Sequence, residues 1–145
     1  MIMLNNKLAT TEDYHMILTI WEKSVLATHD FLSTTDLHFY KEQIPHFLDQ
    51  VELRIWSIDE QPIGFTGTGH HELDMFFLAP EKIGNGYGHL ILTWLIDHKH
   101  ITKIDVNEQN HHAKDFYLNH GFKIVSRSER DGFDKPYPIL HLEKE

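Results

Sequence analysis

The sequence predicts one α+β domain, residues 1–145, in which a mixed but mostly antiparallel sheet of about six or seven strands carries about four helices. Three observations lead to this fold class. The expected elements run strand, two helices, three strands, helix, strand, helix and two strands, an order that forms one sheet with helices on its faces. The 145 residues suffice for one domain but not for two. The composition, 41% hydrophobic and 24% charged, is typical of a globular protein.

Each element follows from a local pattern of apolar residues, turn residues and helix caps. In chain order we expect strand 2–8, helix 12–27, helix 37–49, strands 53–58, 63–68 and 72–78, helix 87–99, strand 104–106, helix 110–119, and strands 122–130 and 137–142. Thr11 before two acidic residues is a typical helix start. Pro45 is expected to bend or interrupt the second helix. The turn at 59–62 closes a hairpin, and Gly121 suits a left-handed helix C-cap.

Charge and composition exclude several classes of function. The formal net charge is −9, whereas nucleic-acid binders need clustered lysine and arginine to contact phosphates. The chain has no cysteine, which removes disulfides, thiolate metal sites and a cysteine nucleophile. No apolar run approaches the ~20 residues needed to cross a bilayer, and no export signal is visible. We therefore expect a cytoplasmic protein without a nucleic-acid or membrane partner.

The 13 histidines do not form a metal-binding pattern. Adjacent residues on a strand or helix point in different directions, which separates the side chains within the pairs His70-His71 and His111-His112. The stretch that begins at His71 lacks the second histidine of a zinc-binding H-E-x-x-H helix. We expect no metal site.

A glycine-rich turn lies between the strand that ends at residue 78 and the helix that begins at residue 87. Gly84, Gly86 and Gly88 alternate there, and glycine allows a positive φ and close approach to a ligand. The helix start adds unpaired N–H donors and the positive end of the helix dipole. Together they form an anion site without basic side chains, although a simple tight connection explains the spacing equally well. A dinucleotide-binding turn fits poorly, because its third glycine would fall at His89.

The most specific segment of the chain runs from residue 107 to residue 122. Ala113 and Phe116 are explained by packing on a sheet, but the hydroxyl of Tyr117, on the same helix face, needs a partner if it is buried. The glycine turn and this segment, in this order, resemble the signatures of the GCN5-related N-acetyltransferase superfamily. The second signature, Asn-x-x-Ala-x-x-Phe-Tyr-x-x-x-Gly-Phe, is matched in full from Asn110 to Phe122. The resemblance spans essentially the whole chain and implies the GNAT fold.

That resemblance implies an enzyme that moves the acetyl group of acetyl-CoA directly to a primary amine of a small molecule or peptide, through a ternary complex. Residues 21–32 and 135–140 also look like segments of the bacterial YjaB-type acetyltransferases. A non-catalytic acyl-CoA sensor is the alternative from another class; the intact Tyr117 favours the enzyme. Loops 28–36 and 131–138 are expected to shape the acceptor pocket. The acceptor itself stays open, as does the choice between monomer and homodimer.

The resemblance also assigns the contacts to acetyl-CoA. The pantetheine arm is expected along the strand 72–78, and the pyrophosphate on the glycine turn. The implied contacts are Phe76, Phe77, Leu78, Ile83, Gly84, Asn85, Gly86, Tyr87, Gly88, His89 and Asn110. Asn110 is equally well explained as a helix N-cap. Ile83 stands where the first signature of the family, Gln/Arg-x-x-Gly-x-Gly/Ala, has Gln or Arg. A side-chain donor to the pyrophosphate is therefore missing, and Lys82 is an open substitute.

Acetyl transfer requires a neutral amine, whereas a lysine-like amine has a pKa near ~10.4, so a base must remove a proton. The resemblance assigns to Tyr117 the role of the acid that protonates the leaving thiolate. Family members often place the base upstream on the pantetheine-binding strand, which indicates Glu72, with His71 as the next candidate. His29 and Asp30, in the loop after the first helix, are further candidates for the base.

Overall fold

Helices cover both faces of a seven-stranded sheet in the computed structural model, which describes residues 3–144. The helices are α1 (Tyr14–Thr28), α2 (Thr34–Gln43), α3 (Tyr87–Lys99) and α4 (His111–Leu118). The strands are β1 (Leu4–Leu8), β2 (Glu52–Ile58), β3 (Gln61–Gly69), β4 (Glu72–Leu78), β5 (Lys103–Asn107), β6 (Phe122–Ser128) and β7 (Ile139–Lys144). Over the described residues the strand order is β1-β2-β3-β4-β5-β7-β6. Only β4 and β5 pair in parallel, which confirms the predicted, mostly antiparallel fold class.

Two hydrophobic cores lie on opposite faces of this sheet. On one face, α3 inserts the fully buried Ile91, Leu92 and Leu95 against side chains of β2 to β7. On the other face, α1 packs its apolar stripe against β2, β3 and the segment after α2. Neighbouring residues of β2 serve different cores, since Trp56 belongs to the α3 side and Ile55 to the α1 side. This is the two-residue alternation that a strand buried on both faces requires.

Most predicted boundaries agree with the structure within two residues, but the second helix does not. α2 begins at Thr34, three residues earlier than predicted, because the Ser33 hydroxyl accepts a hydrogen bond from Asp36 N and caps the helix. The helix ends at Gln43 and two short 3-10 turns follow, since Pro45 has no N–H to continue the α-helical pattern. The prediction of one helix over 37–49 was therefore wrong at both ends.

Smaller differences from the prediction occur at the ends of other helices and strands. A 3-10 turn, Thr11–Asp13, precedes α1, and its cap is Thr10 rather than Thr11. Of the strand predicted at 2–8, Ile2 lies outside the described residues. β6 ends at Ser128 instead of residue 130, because the carboxylate of Asp131 accepts hydrogen bonds from two backbone N–H groups and closes the next segment into a compact loop.

Candidate active site

The sheet opens between β4 and β5. These strands pair only at Glu72 with Lys103 and at Leu73 with Ile104, although each continues beyond that point. A cavity of about 570 Å³ occupies the opening and is bordered by β4, β5, α4, the end of α1 and the glycine turn. Among residues 3–144, none pairs with β4 on its β5 side from Asp74 onward, so the backbone N–H and C=O groups there can pair with an extended ligand.

A β-bulge at the start of this opening determines which side chains face the cavity. Met75 pairs with Gly67 and Leu73 with Thr68, so Asp74 is the extra residue on β4. The extra residue reverses the alternation, and Leu73 consequently joins the α3-side core together with Phe76 and Leu78. Asp74 lines the cavity at its exposed mouth. Glu72, the predicted base, does not line the cavity, whereas Asp74, two residues further along the same strand, does.

The environment of Asp74 changes its acidity. Partial loss of water around the carboxyl, together with the smaller effects of the nearby carboxylates of Glu72 and Asp105, raises its pKa to about 6, and His70 opposes them. Asp105, on β5, also lines the cavity and accepts a hydrogen bond from His141 Nδ1 at 2.7 Å. A carboxyl group with a pKa near neutrality can exchange a proton with a substrate amine. The sequence offered no sign of the bulge, so Asp74 was missed.

The glycine turn has the conformation that its spacing predicts. Gly84 and Gly86 have φ values of 83° and 87°, in the left-handed region, and a Cβ at either position would meet nothing within 4 Å. Their conformation therefore accounts for glycine here, not a lack of space. Gly86 is the N-cap of α3, and no side chain caps the first N–H groups of that helix. Those donors, at the positive end of the helix dipole, suit a phosphate group.

Of the other residues predicted to bind the ligand, most border the cavity. Phe76, Phe77, Leu78, Ile83, Gly84, Gly86, Gly88, His89 and Asn110 line it. Asn85 and Tyr87 are not among its lining residues, and the side-chain amide of Asn85 donates to Glu81 O at 3.2 Å. Asn110 Oδ1 accepts from Ala113 N at 3.3 Å and so caps α4, as the sequence allowed. Lys82 does not line the cavity either.

Tyr117 places its ring in the α3-side core and its hydroxyl at the cavity. The residue is 7% exposed, and its ring packs against Phe116 and Phe122 with centroid distances of 5.4 and 6.3 Å. Within residues 3–144 the hydroxyl has no hydrogen-bond partner, yet no side-chain polar atom of these residues is both buried and unpaired. The hydroxyl is therefore open to the cavity that the residue lines. Burial raises the pKa of Tyr117, which keeps it protonated.

His29 lies at the end of α1, on the opposite wall of the cavity. Burial lowers its pKa to about 4, with a smaller opposing effect from Asp30, so the imidazole is neutral at pH 7. The Thr28 hydroxyl donates to Ser24 O at 2.8 Å, and its oxygen lies 2.7 Å from His29 Nδ1. Because that hydroxyl proton is already used, Nδ1 carries the hydrogen and Nε2 is left as an acceptor.

The other predicted base candidates lie away from the cavity. Glu72, His71 and Asp30 are not among its lining residues. His71 sits in the turn between β3 and β4, with a φ of 65°, and its Nδ1 lies 3.2 Å from His100 O. Glu72 stands beside Asp74 and affects it through its charge. Geometry therefore favours Asp74 and His29 over these three.

The two loops predicted to shape an acceptor pocket contact each other. Tyr137 donates a hydrogen bond to Asp36, Tyr40 donates to Asp131, and Lys135 Nζ lies 3.0 Å from Asp36 Oδ1. These bonds lower the pKa of Asp36, chiefly through Tyr137. The surrounding aromatic rings pack on one another rather than line the main cavity: Phe31, Phe39, Tyr40, Phe47, Phe133 and Tyr137. The loops form a closed wall beside the cavity.

Two further features bear on the chemistry. Between residues 3 and 144 there is no group of three or more histidine, aspartate and glutamate side chains arranged to hold a metal ion. None of the helices in that range combines the length and apolar character that a membrane-spanning helix needs. What the arrangement offers is an open strand edge, an anion-binding turn, a protonated phenol and a carboxyl group of raised pKa.

Known proteins are similar to this chain in both sequence and fold. Residues 11–134 match the family described as acetyltransferase (GNAT) domain. The chain is 36% identical over 143 residues to peptidyl-lysine N-acetyltransferase YjaB of Salmonella typhimurium, covering 97% of this chain and 98% of that protein. Its Escherichia coli counterpart is 35% identical over 133 residues, with 90% of each chain covered.

Solved structures agree with the sequence relatives. The solution structure of apo YjaB from Escherichia coli superimposes with a TM-score of 0.89 at 32% identity, over 97% of both chains. The PaiA N-acetyltransferase of Thermoplasma acidophilum, solved in complex with coenzyme A, shares the fold with a TM-score of 0.69 at 19% identity, over 99% of both chains. The chain therefore belongs to the acetyltransferase (GNAT) family and is an acetyl-CoA-dependent N-acetyltransferase, as the sequence motifs predicted.

Proposed function

We propose that the protein acetylates the side-chain amine of lysine residues in peptides or proteins, with Asp74 as the base and Tyr117 as the acid. The observation that carries this proposal is that both residues line one cavity where β4 and β5 separate. The relatives' description as peptidyl-lysine N-acetyltransferases supports the acceptor class. The net charge of −9 favours a cationic acceptor over an acidic one.

Acetyl-CoA fits the opening by its chemistry. The unpaired edge of β4 from Asp74 to Leu78 offers backbone groups to the two amides of the pantetheine arm. The glycine turn offers its backbone N–H groups to the pyrophosphate. Gly88 allows α3 to approach α4, since a Cβ there would lie 3.3 Å from the Phe116 ring. Acetyl-CoA supplies the acetyl group as a thioester, and the chain's own residues handle the protons.

Asp74 acts on the acceptor. With a pKa of about 6, its carboxylate is ionised at pH 7 and accepts one proton from the lysine ammonium. The neutral nitrogen then attacks the acetyl carbonyl carbon, forming the C–N bond. His29, whose pKa of about 4 makes it a weaker base, remains the second candidate. Its unprotonated Nε2 could accept a hydrogen bond from the same amine.

Tyr117 acts on the leaving group. When the C–S bond breaks, the electron pair stays on sulfur, and the Tyr117 hydroxyl donates its proton to the thiolate. The nitrogen releases its second proton as the amide forms, and that proton restores the Tyr117 hydroxyl. The raised pKa of Tyr117 keeps this proton available throughout the neutral range. Since the chain has no cysteine, no thiol of the protein can carry the acetyl group in between. We propose that transfer is direct, within a ternary complex of protein, acetyl-CoA and acceptor.

The test is an acetyl-transfer assay on a matched set of amines. Thiol release from acetyl-CoA is measured with lysine-containing peptides, with the same peptides carrying arginine instead of lysine, and with small primary amines. We expect thiol release on the lysine peptides, and a mass increase of one acetyl group on the lysine side chain. Arginine peptides should give only background hydrolysis.

Two outcomes would contradict the proposal. Turnover of small amines without any turnover of lysine peptides would reject the acceptor class. Thermal stabilisation by acetyl-CoA without thiol release on any amine would instead indicate an acyl-CoA sensor.

We also infer that the protein works in the cytoplasm, where both acetyl-CoA and proteins with lysine side chains are present.

A further inference from the structure

Two histidines form a hydrogen-bonded pair beside the glycine turn. His89 Nδ1, in the first turn of α3, lies 2.8 Å from Nε2 of His120, which follows α4. His120 Nδ1 lies 2.7 Å from the carbonyl oxygen of Phe116. A carbonyl oxygen only accepts, so His120 Nδ1 carries a hydrogen. In the neutral pair, His120 Nε2 is then the acceptor and His89 Nδ1 the donor, which leaves His89 Nε2 unprotonated.

This free nitrogen belongs to a side chain at the proposed pyrophosphate site. His89 lines the same cavity as Gly84, Gly86 and Gly88. Position 83, where the family signature has Gln or Arg, is isoleucine here and offers no donor. Among the described residues 83–89 that line the cavity, His89 alone has a side-chain donor. Protonation of His89 Nε2 would add one donor and one positive charge.

The helix position makes that protonation depend on the ligand. His89 lies in the first turn of α3, at the positive end of the helix dipole, where an anion is favoured. A pyrophosphate bound there carries negative charge, and a nearby negative charge favours the charged form of an imidazole. His120 stabilises the charged form, because it already orients Nε2 to accept from His89 Nδ1–H.

We propose that the His89–His120 pair takes up one proton when the pyrophosphate of acetyl-CoA binds, and that His89 Nε2–H then donates to a phosphate oxygen. The inference rests on the cofactor site of the proposed function. It is independent of the acceptor and of Asp74. Its consequence is that acetyl-CoA binds more weakly as the pH rises through the range in which histidines lose their charge.

The groups around the pair fit this assignment. α4 contributes the Phe116 ring, 4.4 Å from His120 between centroids, and the neutral Tyr117, whose carbonyl oxygen accepts from His120 N at 3.0 Å. β7 contributes Lys144, whose Nζ lies 3.4 Å from His120 O. A bound anion supplies the negative charge that favours a charged pair.

The experiment measures proton uptake with acetyl-dephospho-CoA, which lacks the 3′-phosphate. That phosphate titrates near pH 6 and would mask the pair. Calorimetric titrations at about pH 7.5 in two buffers of different ionisation enthalpy give the number of protons taken up on binding. We expect wild-type protein to take up a fraction approaching one proton, and its Kd to rise by up to about tenfold per pH unit above that range.

Three variants make the test specific. His89→Gln should abolish the uptake and flatten the pH dependence of Kd, and His120→Gln should reduce both. His38→Gln removes an exposed histidine of α2 that does not line the cavity, and should behave as wild type. Binding without proton uptake in wild type, or equal uptake in His89→Gln, would overturn the inference while leaving the proposed function intact. Failure of wild type to bind either acetyl-CoA or its dephospho form would overturn both.

Discussion

The two walls of the candidate site are built in different ways. On the proposed cofactor side, the groups available to a ligand belong to the backbone: the unpaired edge of β4 and the start of α3 after Gly84 and Gly86. The proposed acceptor side is formed by the loops beside the cavity, which are held by side chains from distant segments, such as Tyr137 with Asp36, 101 residues apart, and Tyr40 with Asp131, 91 residues apart. Asp74 and Tyr117 line the cavity itself, and we place them between the two walls.

This difference predicts that damage to the two walls can be separated by measurement. Changes on the cofactor side should raise the Kd for acetyl-CoA and leave the chemistry intact once the protein is saturated. Changes on the acceptor side should raise KM for the acceptor without affecting acetyl-CoA. Changes where the walls meet should lower kcat alone.

The largest effect is expected at the junction, from Tyr117→Phe. Loss of the proton donor should lower kcat by about 100-fold, within the range for general acids, while the Kd for acetyl-CoA stays within about twofold. Tyr14→Phe is the matched control, since Tyr14 packs in the α1-side core and does not line the cavity. Steady-state kinetics and calorimetry measure the two quantities. A normal kcat in Tyr117→Phe would remove Tyr117 from the mechanism.

A smaller effect is expected on the cofactor side, from Gly86→Ala. An alanine at a φ of 87° is strained by roughly 1–2 kcal/mol, and relief of that strain would turn the first N–H groups of α3 away from the pyrophosphate. We expect the Kd for acetyl-CoA to rise about tenfold, with kcat at saturation unchanged. Gly132→Ala, at an acceptor-side glycine that lies outside the left-handed region, is the control and should bind normally. An unchanged Kd in Gly86→Ala would argue against the anion site.

The smallest effect is expected on the acceptor side, from Tyr137→Phe. This change removes one hydrogen bond between the two loops, so KM for a lysine peptide should rise about threefold and the melting temperature should fall slightly. Asp36→Asn also weakens the contact with Lys135 and should have a larger effect. Because both act on one cluster, the double variant should fall short of the sum. A changed Kd for acetyl-CoA in either variant would contradict the separation of the walls.

The same difference explains what the sequence could predict. The limits of β4 and α3, the glycine turn and the Asn110 cap follow from patterns within a few residues, and the structure has them at the predicted positions. The fold class follows from the order of such elements. Local propensities and caps act over one or two helical turns, and for that reason the cofactor side can be inferred without coordinates.

The acceptor side could not be inferred in this way. The bulge that brings Asp74 to the cavity is a property of the register between β3 and β4, and a shift of one residue reverses which side chains face the ligand. The pairing of Asp36 with Tyr137 joins loops that no local pattern connects. The prediction of Glu72 lies on the same strand as Asp74, and the register between β3 and β4 shows that Asp74 is the residue on the cavity.

The central claim, that Asp74 deprotonates the acceptor, is tested most directly by the pH dependence of kcat/KM for a lysine peptide. Because the base acts only when ionised, the rate should fall below pH about 6 in wild type. Glu72→Gln should keep this acidic limb but move it to lower pH, because the Glu72 carboxylate is one of the groups that raise the pKa of Asp74. Asp74→Asn should lose this limb and at least about 100-fold of its rate at pH 7.5. A limb retained near pH 6 in Asp74→Asn, or a wild-type limb near pH 4 that His29→Gln abolishes, would contradict the account and assign the base to another residue.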